Sequence, residues 1–453
     1  MILEFKIENF RSFYQETVLS MIASSQRDHP EFFNRELFPK RRILPSAVIY
    51  GPNASGKTSL MLALATLREM VLEGHIRNED QNSLLRKLEL DAFIHEYEKF
   101  NEPIKWEITY IHEQKEFTYG IEVQASVPHK EEAGKRKVVY EYLTINETSI
   151  FERSDNIIKL NSTPKALKHY RKKINSNLLK TLENQIQSNL DQKELFLTNA
   201  FRNVVDNKLA QKVIQWFQNN LILLIDFDER DLYIKTPDDF PKGKIAIQNE
   251  IMQALLKHAD FGPQKMAYVI EHEEENVHRK ATLRSRYQIN GWDQHKGIEI
   301  PSELVESKGT LKIMKFAIPF IEALLNGYTL IIDEMDSSMH PDLVVAIISV
   351  FNNPEFNQKG AQLIFNTHNP IYLNKNIYRR DQIIFVEKNP DTLESEMYSL
   401  ADFKTSGKHR VRNDASYLRN YMDGKYGALP FADFSDSIAK ALEILRAREA
   451  SNG

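Results

Sequence analysis

Polar and apolar positions alternate from the start of the chain. Ile2, Glu4, Lys6 and Glu8 interleave with Leu3, Phe5 and Ile7, the period of two that a half-buried strand requires. Arg11 to Ile22 reads as the hairpin partner of that strand. Gln26 to Arg42 is polar and broken by Pro30 and Pro39, so it reads as a loop. Ala47 to Tyr50 is a short buried strand running into Gly51. Between Thr58 and Leu72, Leu60, Leu64, Leu67 and Val71 recur at helical spacing. Trp106 to Val123 and Val138 to Phe151 are rich in aromatic and β-branched residues and predict strands, with a basic turn at His129 to Lys137 between them. Ser162 to Asn220 turns to helix-forming residues, almost without Gly or Pro. That composition predicts a helical insertion, as a short antiparallel pair, and its Leu and Ile spacing is too irregular for a long coiled coil. Strand character returns at Leu221 to Ile225, and Arg284 to Ile300 predicts another hairpin. Beyond Pro301, strands and helices alternate. No internal repeat or low-complexity tract interrupts the pattern.

The 453 residues carry 59 Lys+Arg against 63 Asp+Glu, a net charge of −4. That balance excludes a surface built to coat nucleic acid wholesale. Cysteine is absent, which removes disulfide scaffolds, thiolate metal sites and cysteine nucleophiles together. Met1 to Phe10 is charged and lacks the apolar core of a signal peptide. The longest apolar block, Leu343 to Phe351, falls far short of the ~18–20 residues that cross a bilayer. A soluble, cytoplasmic protein with no membrane partner is the expectation. The length implies more than one unit, divided as a lobe at 1–160, a helical insertion at 161–225 and a second lobe at 226–453.

Chemistry enters at the turn after the Ala47–Tyr50 strand. Gly51-Pro52-Asn53-Ala54-Ser55-Gly56-Lys57-Thr58 fits G-x-x-x-x-G-K-[ST], with a strand before it and a helix after it, the context that gives the motif its meaning. The glycines let the backbone wrap a phosphate with its N–H groups inward, and the following helix N-terminus adds positive field. Gly51, Asn53, Ser55, Gly56, Lys57 and Thr58 are therefore candidate ATP contacts, with Lys57 bridging phosphates and the Thr58 hydroxyl on Mg²⁺. Thr329 to Ile332 is an apolar strand ending in Asp333-Glu334. Alone such a pair is ordinary; beside a phosphate loop it predicts Asp333 on Mg²⁺ and Glu334 polarising the attacking water. Leu363 to His368 repeats the format, and a histidine at a strand end beside the crevice is a candidate γ-phosphate sensor. Ser307-Lys308-Gly309 opens the helix Leu311 to Leu325 and forms a second candidate anion nest. Simple capping by Ser307 is its plain alternative. Pro319 would kink or locally unwind this helix.

The order of these motifs resembles the ABC-type ATPase heads, in the branch with the SMC, RecF and OLD-like proteins. Ile7 to Phe13 resembles the "NFRSF" opening of that branch. Residues 50–58, 333–341 (DEMDSSMHP), 365–370 (FNTHNP), 379–388, 400–404 and 426–431 are similar to the compact RloA/AbiL anti-phage type, and more distantly to the PARIS and Septu ATPases. The interval 155–300 carries little of the likeness. The fold the resemblance implies is α/β: an ABC-type P-loop head with mixed β-sheets, a β-rich N-terminal lobe and an inserted helical segment. It further implies that Asp333 is the Walker B acid, Glu334 the base and His368 the switch histidine. Ser307 and Gly309 would be the signature motif, reaching the nucleotide of the other subunit. Ser337, with Asp336 and Ser338, would join the two sites, and Arg11 would reach ATP. Lys308 stands where this branch carries an acid, and Leu90 to Phe93, where a glutamine loop is expected, holds no glutamine.

A signature nest facing another chain's phosphate loop leaves each half-site incomplete, so a homodimer or higher homo-oligomer sandwiching two ATP molecules is expected. The resemblance also implies an effector protein, a Toprim-like or RloB-like nuclease encoded nearby, held under control in anti-phage defence. A RecF/SMC-like role in DNA repair or maintenance is the alternative. A nuclease within this chain would rest on Asp226 and Asp228 alone. DNA stays open as a ligand, through Lys40-Arg41-Arg42, Lys135-Arg136-Lys137 and Arg171-Lys172-Lys173.

Overall fold

The computed structural model describes residues 1–26, 28–33, 37, 41–77, 90–96, 102–125, 136–170, 175–187, 189–225, 245–247, 265–271, 280–288, 297–403, 416–429 and 434–451. The opening alternation forms β1 (Ile2–Glu8), paired antiparallel with β2 (Thr17–Ser20). The hairpin partner is thus the last part of Arg11 to Ile22. β3 (Ser46–Tyr50) is buried throughout and leads through the glycine turn into α1 (Lys57–Glu73). β4 (Ile104–His112), β5 (Lys115–Gln124), β6 (Lys137–Ile145), β7 (Thr148–Ser154) and β8 (Ile157–Leu160) follow. They join β1 and β2 in a seven-stranded antiparallel sheet, ordered β2-β1-β4-β5-β6-β7-β8.

The apolar face of this sheet and the buried side of α1 share one hydrophobic cluster. The helical insertion joins it through α2 (Pro164–Leu167), α3 (Ser176–Gln187), a π-helical turn at Leu197–Val205, α4 (Asn207–Gln215) and a second such turn at Trp216–Asn220. Trp216 is fully buried and stacks on Tyr110 with ring centroids 3.7 Å apart. Glu141 on β6 is likewise fully buried, and its carboxylate accepts from Phe196 N (2.6 Å), Leu197 N (2.9 Å) and Tyr119 Oη (3.0 Å), with Arg153 3.8 Å away. Both carboxylate oxygens find donors, so the insertion is tied to the sheet by a hydrogen-bonded polar anchor.

β9 (Leu221–Leu224) opens the second half. β10 (Ile245–Ile247), β11 (Lys265–Glu271), β12 (Lys280–Gln288) and β13 (Gly297–Pro301) make a four-stranded antiparallel sheet, and the predicted Arg284–Ile300 hairpin is its β12–β13 pair. Then come α5 (Lys308–Asn326), which runs unbroken past Pro319, β14 (Thr329–Ile332), α6 (Pro341–Asn352), β15 (Gln362–Asn366), β16 (Ile383–Lys388), β17 (Ser395–Ser399), α7 (Tyr417–Met422) and α8 (Phe434–Ser451). The third sheet is ordered β17-β16-β3-β15-β14-β9, parallel except for the antiparallel edge strand β17. Its central strands β3, β15 and β14 are buried along their whole length, which is why they read as largely apolar runs. It draws strands from both sides of the insertion, so the lobes drawn along the sequence interleave in space. Gln362 joins the two large sheets. Its amide accepts from Ile2 N (2.6 Å) and Thr329 Oγ1 (2.9 Å) and donates to Ile2 O (2.9 Å).

The architecture is a mixed α/β P-loop fold with several sheets, as expected. Among the described residues no helix is long and apolar enough to cross a membrane. Asp226 and Asp228, Lys40, Lys135 and Arg171 to Lys173 lie outside the described residues. Of the remaining basic positions, Arg41 pairs with Glu116, Arg42 donates to Gln26 O (2.9 Å), and Lys137 pairs with Asp155 (2.8 Å).

Candidate functional site

In an open parallel sheet, crevices form beyond the carboxyl ends of the strands. The ends of β3, β14 and β15 deliver the loop 51–58, Asp333-Glu334 and Thr367-His368 to one such edge. A cavity of about 640 Å³ opens there, lined among others by Arg11, Ser55, Lys57, Thr58, Glu334 and His368. Asn53 and Gly56 line it too.

The glycine requirement is visible at two positions. Gly56 has φ of 112°, and a Cβ there would stand 2.7 Å from Ser395 Oγ and 2.9 Å from Ser12 Oγ. A Cβ on Gly51 would collide with the Val386 carbonyl oxygen. Ser395 donates from Oγ to Ser55 O (2.6 Å) and from its backbone N–H to Ser12 O (2.7 Å), so the edge strand β17 braces the loop.

Lys57 is only 5% exposed, and its ammonium donates to the carbonyls of Gly51 (2.8 Å) and Pro52 (2.9 Å). Burial pulls its pKa down from 10.5 to about 8, against the upward pull of Asp333 and Glu334. A cation held at such cost next to open space is suited to an anionic ligand. The Thr58 hydroxyl donates to both Asp333 oxygens, at 3.3 and 3.2 Å. A hydroxyl beside a carboxylate is a hard-oxygen donor set that fits Mg²⁺. Among the described residues no group of three His, Asp or Glu side chains is placed to hold a metal ion; Thr58 and Asp333 are the residues that would hold Mg²⁺. Burial first, and then Lys57, lower the His368 pKa below its ordinary 6.5, leaving a neutral imidazole facing the cavity at neutral pH.

One site residue was not apparent in the sequence, and one segment was marked there only as the region of a glutamine loop without its glutamine. Asn366, 1% exposed at the end of β15, donates from Nδ2 to Asp333 Oδ1 and accepts the Glu334 N–H on Oδ1 at 2.5 Å. Its only signal was a polar residue in an apolar strand. Asp91, Ala92, Ile94 and His95 form one wall of the cavity. Arg11 N donates to Asp91 O (2.8 Å) and Phe93 N to Asn9 Oδ1 (3.1 Å), which fixes the 90–93 segment on the turn after β1.

Ser307, Gly309 and Ser337 do not line this cavity. Ser307 caps α5, accepting from Thr310 N at 3.1 Å, and stays exposed. A Cβ on Gly309 would meet the Ser338 carbonyl oxygen, so the start of α5 is pressed against the turn after β14. Thr367 Oγ1 donates to Asp336 Oδ2 (2.7 Å), tying the same turn to β15.

The family described as "AAA domain, putative AbiEii toxin, Type IV TA system" matches residues 46–374, from β3 through all four motifs. The chain is similar to the solved SMC head domain from Thermotoga maritima at 11% identity, over 88% of this chain and 98% of that chain, with a TM-score of 0.35, too low to carry an argument. No curated protein matches the chain.

Proposed function

The chain belongs to the AAA-domain family that matches residues 46–374, and from that premise we propose that it is an Mg²⁺-dependent ATPase of the ABC type, working as a two-state switch. The observation that carries the reading is the convergence on one cavity of a buried, unusually acidic Lys57, Thr58, Glu334 and His368, with Asp333 hydrogen-bonded to the Thr58 hydroxyl beside it. Lys57 and the loop N–H groups would hold the phosphates. Bound Mg²⁺ would supply charge neutralisation at the phosphates. Glu334 would orient and polarise water, and His368, neutral, would contact the terminal phosphate.

The turn at Ser307 and Gly309, with Ser307 exposed, does not line its own chain's cavity, which supports its use by a second copy in a homodimer with two sandwiched nucleotides. The closed state would gain contacts to the terminal phosphate and lose them on hydrolysis. The family's description and the motif resemblance support a place in toxin–antitoxin or anti-phage defence, where the switch governs a separate effector, a nuclease in our reading. For the described basic clusters, the internal pairing of Arg41, Arg42 and Lys137 favours this over a DNA-maintenance role.

Phosphate release tests the chemistry. Glu334→Gln should bind Mg²⁺-ATP as the native protein does while turnover falls by about 10²–10⁴-fold, the usual contribution of general-base assistance. Native turnover in this variant would remove Glu334 from the mechanism.

A further inference from the structure

Glu334 sits at φ 47°, in the left-handed region that a non-glycine residue occupies only under constraint. Its peptide is gripped on both sides. The N–H donates to Asn366 Oδ1 (2.5 Å), and the carbonyl accepts from Lys312 Nζ (2.7 Å) and from Ser337 N (3.1 Å). Each grip serves a second purpose. Asn366 also donates to Asp333, so one amide sets the metal-side acid and the adjoining peptide together. Lys312 also donates to Ser337 Oγ and lies 5.6 Å from the centroid of the Phe316 ring.

The two residues come from different elements. Asn366 is on β15, one strand over from β14, with Ile332 opposite Phe365. Lys312 is on α5, the helix whose first turn carries Ser307 and Gly309. We propose that Asn366 and Lys312 are positioning residues that hold the Glu334 backbone in its strained turn and so aim its carboxylate. Through Lys312 they make that aim depend on where α5 stands. The inference deepens the reading of Glu334 as the base and rests on it. Asn366 is the fixed side of the clamp, buried in the sheet. Lys312 is the responsive side: Ser307 and Lys308 at the start of α5 are exposed, Gly309 packs on the Ser338 carbonyl, and a second copy's nucleotide engaging Ser307 would shift that turn and Lys312 together. Hydrolysis in one cavity would thereby sense occupancy of the other through one ammonium–carbonyl contact.

The test uses the full chain as native protein and as Lys312→Met, Lys312→Arg, Asn366→Ala and Glu334→Gln. For each, ATP affinity, KM and kcat for phosphate release, and thermal midpoint are measured. Loss of the clamp should displace the carboxylate by the order of an ångström, which costs turnover on the order of 10²-fold. Lys312→Met should therefore lose kcat by about that factor with ATP affinity and KM unchanged, and Asn366→Ala, which also releases Asp333, should lose at least as much kcat. Lys312→Arg, which keeps a cationic donor, should recover most of the loss. A native kcat in Lys312→Met, alongside an inactive Glu334→Gln, overturns the clamp and leaves the function standing. So does a parallel loss of ATP affinity in Lys312→Met, or an Arg variant no better than Met. Native turnover in Glu334→Gln overturns both.

Discussion

Raising the pH from about 7 to about 9 should weaken nucleotide binding through Lys57, by an amount its surroundings set. Lys57 is 5% exposed, and burial brings its pKa to about 8. In the free protein a depressed lysine means that the unfolded chain holds more protons between about 8 and 10.5, so this group adds stability as pH rises through that window. Bound phosphate reverses the preference, because it favours the charged form and returns the pKa above the working range. Binding then takes up about half a proton per site at a pH of about 8, and apparent affinity at about 9 is about one-tenth of that at about 7, equivalent to about 1.4 kcal/mol. Titration calorimetry at these pH values, in two buffers of different ionisation enthalpy, reads both quantities. His368 does not share the window, since its pKa is shifted downward from 6.5. Lys57→Arg, which stays charged throughout, should abolish the slope. Flat affinity with no buffer dependence would refute the reasoning, and so would an undiminished slope in Lys57→Arg.

Gly56→Ala must fit a Cβ between Ser12 and Ser395 at φ 112°. A strain of about 1–3 kcal/mol should cut ATP affinity by roughly tenfold or more in direct binding, and native affinity would contradict this account of the loop. Glu141→Ala removes the buried carboxylate 3.8 Å from Arg153 and leaves the Phe196 and Leu197 N–H groups without their acceptor. Denaturant unfolding should report a loss of about 3–5 kcal/mol, and a loss below about 1 kcal/mol would show that the insertion is not anchored there.

The parts of the site that obey fixed spacing were legible from the residues alone. Lys57 and Thr58 follow a strand and open a helix, and Asp333 and His368 close buried apolar runs, so each announces its place beside the phosphate loop. Asn366 did not, because a single Asn at a strand end looks like an ordinary boundary, and its value comes only from β14 lying alongside. Lys312 was hidden for the opposite reason: it sits where a solvated lysine on a helix would be expected, and its partner is a backbone carbonyl 22 residues away in sequence. The helical insertion was legible as helical, yet its attachment was not. Trp216 and Glu141 anchor it through contacts that no periodicity encodes, and π-helical turns lack the spacing that α-helices show. The interleaving of the lobes was likewise invisible, since parallel pairing of β3 with β15 and β16 joins segments more than 300 residues apart.

Light scattering of Glu334→Gln with and without Mg²⁺-ATP tests the switch most directly. With hydrolysis blocked and binding intact, the mass should rise from that of one 52.8 kDa chain to at least twice that value on adding nucleotide. Adding Ser307→Arg to the same protein should hold it at the single-chain mass with ATP still bound. A Glu334→Gln protein that binds ATP and keeps the mass of one chain would contradict the shared-site account.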